Sequence, residues 1–166
     1  MNPFAKSLRE LTAGDLMKQP VVTIPQEMSL QAAAGLLQQE QISGAPVIDH
    51  EGRCVGVLST TDFLRLAKRD RAAASAASPT DAYFSDWQVI DIATLPPDAV
   101  QAHMSADVVA AAASTPIADL SRMMLDAHIH RVFVVDGTRR PVGVVSSMDI
   151  LAAVAYTQAN TSPLTP

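Results

Sequence analysis

The sequence repeats itself at a fixed offset of 87 residues, and this repeat restricts the possible folds more than any other feature. The stretch GVLSTTDFL, which starts at Gly56, returns as GVVSSMDIL, which starts at Gly143. The same offset aligns Met17 with Met104, and no gap is needed from about residue 15 to about residue 67. A register kept over this length indicates two copies of one structural unit.

Each copy has the hydrophobic pattern of a β-α-β-β-α unit. A short β-rich segment (PVVTI or DVVAA) precedes an amphipathic helix (SLQAAAGLLQQEQI or PIADLSRMMLDAHI). Two further β-rich segments (APVID and CVGVLS, or VFVVD and PVGVVS) precede a closing helix, and the turns DHEGR and DGTRR are short enough for antiparallel hairpins. The apolar stripes of the first helices are Leu30, Ala33 and Leu37 in one copy and Ile117, Leu120 and Met124 in the other. The pattern predicts an α+β fold built twice.

The composition and charge of the sequence argue against several classes of function and location. The 166 residues are 48% hydrophobic, enough for a buried core, and their formal net charge of −5 argues against non-specific nucleic-acid binding. The sequence has no apolar run of the length expected for a membrane span or a signal peptide. Cys54 is the single cysteine, so neither an intramolecular disulfide nor a cysteine-rich zinc site is expected. These features predict a cytoplasmic protein that contacts neither nucleic acid nor membrane.

The repeat also predicts domain boundaries. We expect an N-terminal segment (1–14), a first repeat (15–69), a linker (70–97), a second repeat (98–158) and a disordered tail (159–166). The second half of the linker contains the apolar residues Tyr83, Phe84, Trp87, Val89 and Ile90. We expect this segment to pack on the repeats or on a partner, with Trp87 as an anchor rather than a ligand-stacking ring.

The repeated serine and aspartate have two interpretations. Ser59 and Ser146 stand where a strand passes into a helix, and Asp62 and Asp149 follow three residues later, as in a helix-capping box. The same helix start, with its free N–H groups and positive dipole end, suits phosphate or ribose oxygens. An ionised aspartate can also accept both hydroxyls of a ribose. Capping and binding are compatible, so the residues alone leave both interpretations open.

The tandem β-α-β-β-α unit, each copy closing with G-h-h-[ST]-x-x-D ahead of a helix, resembles the CBS domain, the cystathionine β-synthase type repeat. DLMKQPVVTIP resembles the opening segment of that family, ISGAPVID and IHRVFVVD its middle strand, and GVLSTTD and GVVSSMD its nucleotide motif. The resemblance covers nearly the whole chain apart from the ends and the linker, and it indicates a stand-alone pair of repeats.

This resemblance implies a Bateman-type module, in which two repeats pack with pseudo-twofold symmetry around two clefts. It further implies a homodimer without enzymatic activity that requires no cofactor. Such a module would sense AMP, ADP, ATP or S-adenosylmethionine, and a partner protein would respond to its ligand state.

The resemblance also assigns site residues, with Asp62 and Asp149 as the ribose ligands. The residues implied at the ribose and phosphate are Ser59, Thr60, Thr61, Asp62, Ser146, Ser147, Asp149, His130 and Arg131. The residues implied at the adenine are Val21, Val22, Thr23, Val108 and Val109, which would also serve as ordinary core residues. Ser43 and Gly44 are implied in the lining of a second cleft.

In this family each cleft combines both repeats, and the two clefts of this chain would differ in charge. The Asp62 cleft is expected to include Val108, Val109, His130 and Arg131. Its His-Arg pair matches the phosphate-binding pair in the regulatory subunit of AMP-activated protein kinase. The Asp149 cleft is expected to include Ser43 and Gly44, which bring no cation. We therefore expect a phosphorylated ligand to prefer the Asp62 cleft, and the Asp149 cleft to bind weakly, to take a less charged ligand or to stay empty.

Other functions have weaker support from the sequence. His128 and His130 are too few ligands for a metal site, so no metal is expected. No nucleophile elbow, P-loop or dinucleotide fingerprint occurs. The main alternative is a structural or protein-interaction module that acts through dimerisation without a ligand, and the unequal clefts and the apolar linker support it.

Overall fold

The structure, a computed structural model, describes residues 6–74 and 92–159. The α-helices in these ranges are α1 (Ala13–Leu16), α2 (Leu30–Gln39), α3 (Thr60–Ala74), α4 (Ile117–Asp126) and α5 (Ser147–Ala159). The strands are β1 (Ile24–Pro25), β2 (Gly44–Ile48), β3 (Cys54–Ser59), β4 (Ala110–Ala111), β5 (Arg131–Val135) and β6 (Pro141–Ser146). Short 3₁₀ turns cover Ile92–Thr94 and Val100–Ala102.

The strands form two three-stranded sheets with the same order, β1-β2-β3 and β4-β5-β6. In both sheets the first strand is parallel to the second, with Ile24 opposite Val47 and Ala110 opposite Phe133. The β5–β6 pair is antiparallel, with Arg131 opposite Ser146, as the short turn predicts. The duplicated α+β fold expected from the repeat is therefore confirmed.

The first strand of each repeat is shorter than its sequence suggests. PVVTI and DVVAA each contribute only their last residues to a ladder, whereas residues just before each segment pair elsewhere. Lys18 forms an isolated bridge with Val144, and Ser105 forms one with Val57. Between each bridge and the following strand the chain passes from one compact unit to the other.

The chain divides into two compact units that differ from the linear repeats. Unit I contains the described residues up to Val21, His50–Cys54 and the described residues from Val108 onward. Unit II contains Val22–Asp49 and the described residues from Val55 to Asp107. Each unit thus combines most of one repeat with the opening segment of the other. The repeat boundaries 15–69 and 98–158 stay predictions about the linear sequence.

The apolar stripes predicted for α2 and α4 are buried. In unit II, α2 packs in a cluster with Val47 of β2 and Leu58 of β3, and Ser29 caps its N-terminus by accepting a hydrogen bond from the Ala32 amide. In unit I, α4 packs with the residues that β4, β5 and β6 turn inward, namely Ala111, Val132, Val134 and Val145. The helical period read from the sequence therefore identifies the core-facing side of both helices.

The linker contributes to unit II at its C-terminal end, where Leu95 is buried and Ile92 packs against the same core. The predicted packing of the apolar segment around Trp87 lies outside the described residues, as does the predicted disordered tail beyond Ala159. Within the described ranges, none of the helices combines the length and apolar character that crossing a bilayer requires.

Candidate functional site

Both copies of the repeated motif lie at a junction between a strand and a helix. β3 ends at Ser59 and α3 begins at the next residue, while β6 ends at Ser146 and α5 begins at the next residue. The aspartate of each motif therefore stands in the first helical turn, where backbone N–H groups lack partners within the helix. The two helices, of 15 and 13 residues, carry this aspartate at the same position.

Asp62 is buried, with 6% of its surface exposed, and both of its oxygens are hydrogen-bonded. Its Oδ2 atom accepts hydrogen bonds from the Ser59 backbone N–H and hydroxyl, both at 2.8 Å. Its Oδ1 atom accepts one from the Ser105 hydroxyl at 3.1 Å and a longer one from Arg65 at 3.4 Å. Ser105 is held in place by reciprocal backbone hydrogen bonds with Val57, both 2.9 Å long.

Asp149 repeats this arrangement with a different partner for its second oxygen. Its Oδ2 atom accepts hydrogen bonds from the Ser146 backbone N–H at 2.8 Å and from the Ser146 hydroxyl. Its Oδ1 atom is paired with the Lys18 ammonium at 2.8 Å. Burial raises the pKa of Asp149, but the hydrogen bonds from Lys18 and Ser146 outweigh it, so the pKa lies below its ordinary value.

The same box occurs a third time, at α1, outside the repeated motif. Asp15 Oδ2 accepts hydrogen bonds from the Thr12 backbone N–H and hydroxyl, both at 2.9 Å, and Asp15 Oδ1 pairs with Lys6 at 2.7 Å. The hydrogen bond from Lys6 lowers the pKa of Asp15. This box, at a helix of only four residues, shows that the same arrangement caps a helix outside the repeated motif as well.

Backbone contacts join other predicted site residues within each unit. In unit II the Thr60 amide donates to the Ser43 carbonyl at 2.9 Å, and Gly44 lies so close to Ser59 that a side chain there would press on it. In unit I the Ser147 amide donates to the His130 carbonyl at 3.0 Å. Each closing motif therefore lies beside the middle strand of its own repeat.

The predicted site residues are distributed over both units. Unit II contains Val22, Thr23, Ser43, Gly44, Ser59, Thr60, Thr61 and Asp62. Unit I contains Val21, Val108, Val109, His130, Arg131, Ser146, Ser147 and Asp149. The expected pairing of Asp62 with His130 and Arg131, and of Asp149 with Ser43 and Gly44, stays a prediction.

Unit II contains a cavity of about 490 Å³ beside α2 and α3. Its lining is mainly apolar, with Leu37, Phe63 and Ile92 among the wall residues, and Ser43 and Thr60 contribute polar groups. Asp62 is not part of this lining. Thr60 and Phe63 are three residues apart and share one face of α3, while Asp62 lies on another face.

Arg65, which contacts Asp62, was not predicted as a site residue. Nor were Lys18 and Ser105, which contact Asp149 and Asp62. They occupy equivalent positions, because the 87-residue offset aligns Lys18 with Ser105. The repeat could therefore have indicated that they correspond to each other. Their proximity to Asp149 and Asp62 depends on long-range backbone pairing and could not be read from local sequence.

In the part of the chain that the structure describes, no group of three or more histidine, cysteine, aspartate or glutamate side chains is arranged to hold an ion.

Comparison with protein families gives a match to the CBS domain over residues 13–69 and 91–156. Among curated proteins, the uncharacterized protein MJ1426 of Methanocaldococcus jannaschii is 26% identical over 150 residues, which cover 84% of this chain and 89% of that protein. The matched region covers only about a tenth to a third of the length of other curated relatives.

Solved structures share the fold. The CBS domain pair of protein MJ0100, crystallised with 5′-methylthioadenosine and S-adenosyl-L-methionine, has a TM-score of 0.67 and 22% identity, covering 87% of this chain and 96% of that one. CBSX2, crystallised with AMP, has a TM-score of 0.67 and 23% identity, covering 89% of this chain and 98% of that one.

Proposed function

Since the chain belongs to the CBS domain family, we propose that it is a non-catalytic regulatory module that binds an adenine nucleotide or a related adenosyl ligand. The candidate ligands are AMP, ADP, ATP and S-adenosylmethionine. Asp62 and Asp149 hold the ribose, and a partner protein responds to the bound state. A ligand changes that state only through its different affinities for two conformations of the module.

The observation that carries the proposal is the environment of Asp62 Oδ1. This oxygen accepts a hydrogen bond from the Ser105 hydroxyl, and a ribose hydroxyl would offer the same chemistry. The other oxygen is fixed by Ser59, so the carboxylate is already oriented before any ligand arrives. The N-terminus of the 15-residue helix α3 adds backbone N–H groups and a positive dipole end for ligand oxygens.

The ligands of the similar structures support an adenosyl group, because MJ0100 binds 5′-methylthioadenosine and S-adenosyl-L-methionine and CBSX2 binds AMP. In the proposal, Ser59, Thr60, Thr61, Ser146 and Ser147 contact the sugar and phosphate, and His130 and Arg131 bind phosphate. The adenine contacts Val21, Val22, Thr23, Val108 and Val109.

Calorimetric titration with AMP, ADP, ATP and S-adenosylmethionine tests the proposal. We expect Asp62→Ala to remove the stronger binding event and Asp149→Ala to remove the second event where one is seen, since each variant would lose a ribose acceptor. Asp15→Ala is the matched control, because it breaks the same capping box outside the motif and should leave ligand binding unchanged. Binding that survives in the Asp62→Ala/Asp149→Ala double variant would contradict the proposed site.

A ligand-free interaction module is the second candidate function. It is favoured by large apolar side chains that are exposed on α4 and α5, namely Leu125, Met148, Leu151 and Tyr156. The absence of heat or thermal stabilisation with every candidate ligand at millimolar concentration would support this candidate over the first.

A further inference from the structure

The two motif aspartates differ in the side chain that meets their Oδ1 atom, and this difference has a consequence for ligand choice. Lys18 and Ser105 stand at equivalent positions of the repeat, yet one is a cation and the other a neutral hydroxyl. The sequence predicts an Asp149 site without a cation. The structure instead places an ammonium group 2.8 Å from the Asp149 carboxylate.

Lys18 is anchored through its backbone while its side chain is accessible. Its N–H donates to the Val144 carbonyl at 2.9 Å, and its carbonyl accepts from the Val144 N–H at 3.2 Å. These bonds fix the root of the side chain on β6, the strand that leads directly into α5. The Lys18 side chain is 71% exposed, whereas that of Asp149 is 13% exposed. The ammonium group can therefore move while its backbone stays in place.

Asp149 can hold a ribose by two hydroxyl groups only if the Lys18 ammonium group moves away, because the carboxylate has a limited number of acceptor positions. A carboxylate offers about four lone pairs, two on each oxygen. The Ser146 N–H and hydroxyl occupy those of Oδ2, and Lys18 occupies one of the two on Oδ1. One acceptor position remains, so the second ribose hydroxyl has to replace Lys18.

We propose that Lys18 is an exchangeable counter-ion that makes the Asp149 site selective for anionic adenosyl ligands. This inference rests on the proposed function. A neutral nucleoside displaces the ammonium group and gives it no new partner. A nucleotide also displaces the ammonium group, but its phosphate lies within reach of the flexible lysine side chain. Lys18 therefore exchanges its ion pair with Asp149 for one with the phosphate. At Asp62 the Oδ1 atom meets the neutral Ser105 hydroxyl, which can rotate away, and only a longer contact of 3.4 Å from Arg65, so displacement of the resident partner imposes a weaker preference there.

The test compares the binding of AMP and adenosine by calorimetry in a protein that carries Asp62→Ala, so that only the Asp149 site is measured. If thermal unfolding shows that this variant does not fold, Asp62→Asn is used in its place. Lys18→Ser installs the residue found at the equivalent position. We expect it to weaken AMP binding and strengthen adenosine binding, lowering the ratio of the two affinities by about tenfold or more. Lys18→Arg should restore the preference for AMP.

Lys6→Ser is the matched control, because it removes the lysine from the same box at α1 and should leave the ratio unchanged. An unchanged ratio in Lys18→Ser, with binding that still requires Asp149, would overturn the role of Lys18 and leave the proposed function standing. If neither AMP nor adenosine binds, or if both bind after Asp149→Ala is added, the proposed function fails at this site together with the inference.

Discussion

Asp15, Asp62 and Asp149 share one local arrangement and differ in the side chain that reaches their second oxygen. Each accepts the backbone N–H and hydroxyl of a serine or threonine three residues earlier. A lysine pairs with Asp15 and with Asp149 at 2.7 and 2.8 Å, whereas Asp62 accepts a hydrogen bond from a serine hydroxyl and has a longer contact of 3.4 Å with Arg65. The capping role therefore belongs to the short sequence pattern, while the lysine beside Asp149 comes from a distant part of the sequence.

The lysine partners predict a measurable change in carboxylate titration. Lys18→Ser should raise the pKa of Asp149 toward its ordinary value, because one of the hydrogen bonds that hold it down is lost. When folding lowers the pKa of a carboxyl group, the ionised carboxylate stabilises the folded protein at pH values above the pKa of the unfolded chain, which is about 4. This stabilisation is lost as the pH falls from that value through the lower pKa of the folded state. The stability difference between wild type and Lys18→Ser should thus shrink below about pH 4.

Carboxyl carbon NMR titration measures the pKa directly, and chemical denaturation at pH 7 and about pH 3 measures the stability difference. Lys6→Ser should have the same effect on Asp15 and none on Asp149. An Asp149 pKa that does not change in Lys18→Ser would rule out the ion pair in solution.

The segment before the first strand of each repeat packs closely against the last strand of the other repeat: the segment at Met17 packs on β6, and the segment at Met104 packs on β3. At Gly143 on β6 an added Cβ would overlap the Met17 side chain, including its Cβ and its thioether sulfur Sδ, and at Gly56 on β3 it would overlap the Met104 side chain. This contact explains why glycine and methionine recur together at the same offset. The glycine is needed for close approach, since its backbone conformation is not in the left-handed region.

Alanine substitutions should separate this packing role from general glycine effects. Gly143→Ala should lower the free energy of unfolding by about 1–3 kcal/mol, because the overlap with Met17 Cβ can be relieved only by a shift of backbone. Gly56→Ala should cost less, since the atoms that it meets are the flexible end of Met104. Urea denaturation provides both values.

Gly35 supplies the control for these substitutions. It lies within α2, and no atom is near the position of its missing Cβ. Gly35→Ala should therefore raise the free energy of unfolding by about 0.5–1 kcal/mol through helix propensity. Destabilisation by Gly35→Ala equal to that by Gly143→Ala would remove the case for close approach.

At the level of the whole molecule, the exposed apolar residues of α4 and α5 are the main support for the homodimer expected from the sequence. Leu125, Met148, Leu151 and Tyr156 are all exposed there. Exposed apolar side chains grouped on neighbouring helices are typical of association surfaces. The dimer itself stays a prediction.

Light scattering coupled to size exclusion tests this prediction. The wild type should elute with the mass of a dimer, and Leu151→Glu should shift it toward the monomer, because a charge would have to be buried without a partner. Glu27→Lys changes an exposed residue outside α4 and α5 and should leave the dimer intact. A monomeric wild type at tens of micromolar would argue against dimerisation.

The sequence by itself determined the parts of this protein that depend on local pattern. The 87-residue repeat, the buried stripes of α2 and α4, the hairpin of β5 and β6 and the serine–aspartate boxes all follow from periodicity, turn length and capping chemistry. The stripes, the hairpin and the boxes are local because each depends on residues close together in the sequence, and the repeat is visible because the same local pattern is written twice.

Tertiary structure decided which residues complete the two boxes. The opening segments leave their own repeats, so Lys18 pairs with Val144 and Ser105 pairs with Val57 across long stretches of chain. Only this pairing brings a lysine to Asp149 and a hydroxyl to Asp62. Local hydrophobic pattern carries no information about such pairing, because it results from the packing of segments far apart in the sequence.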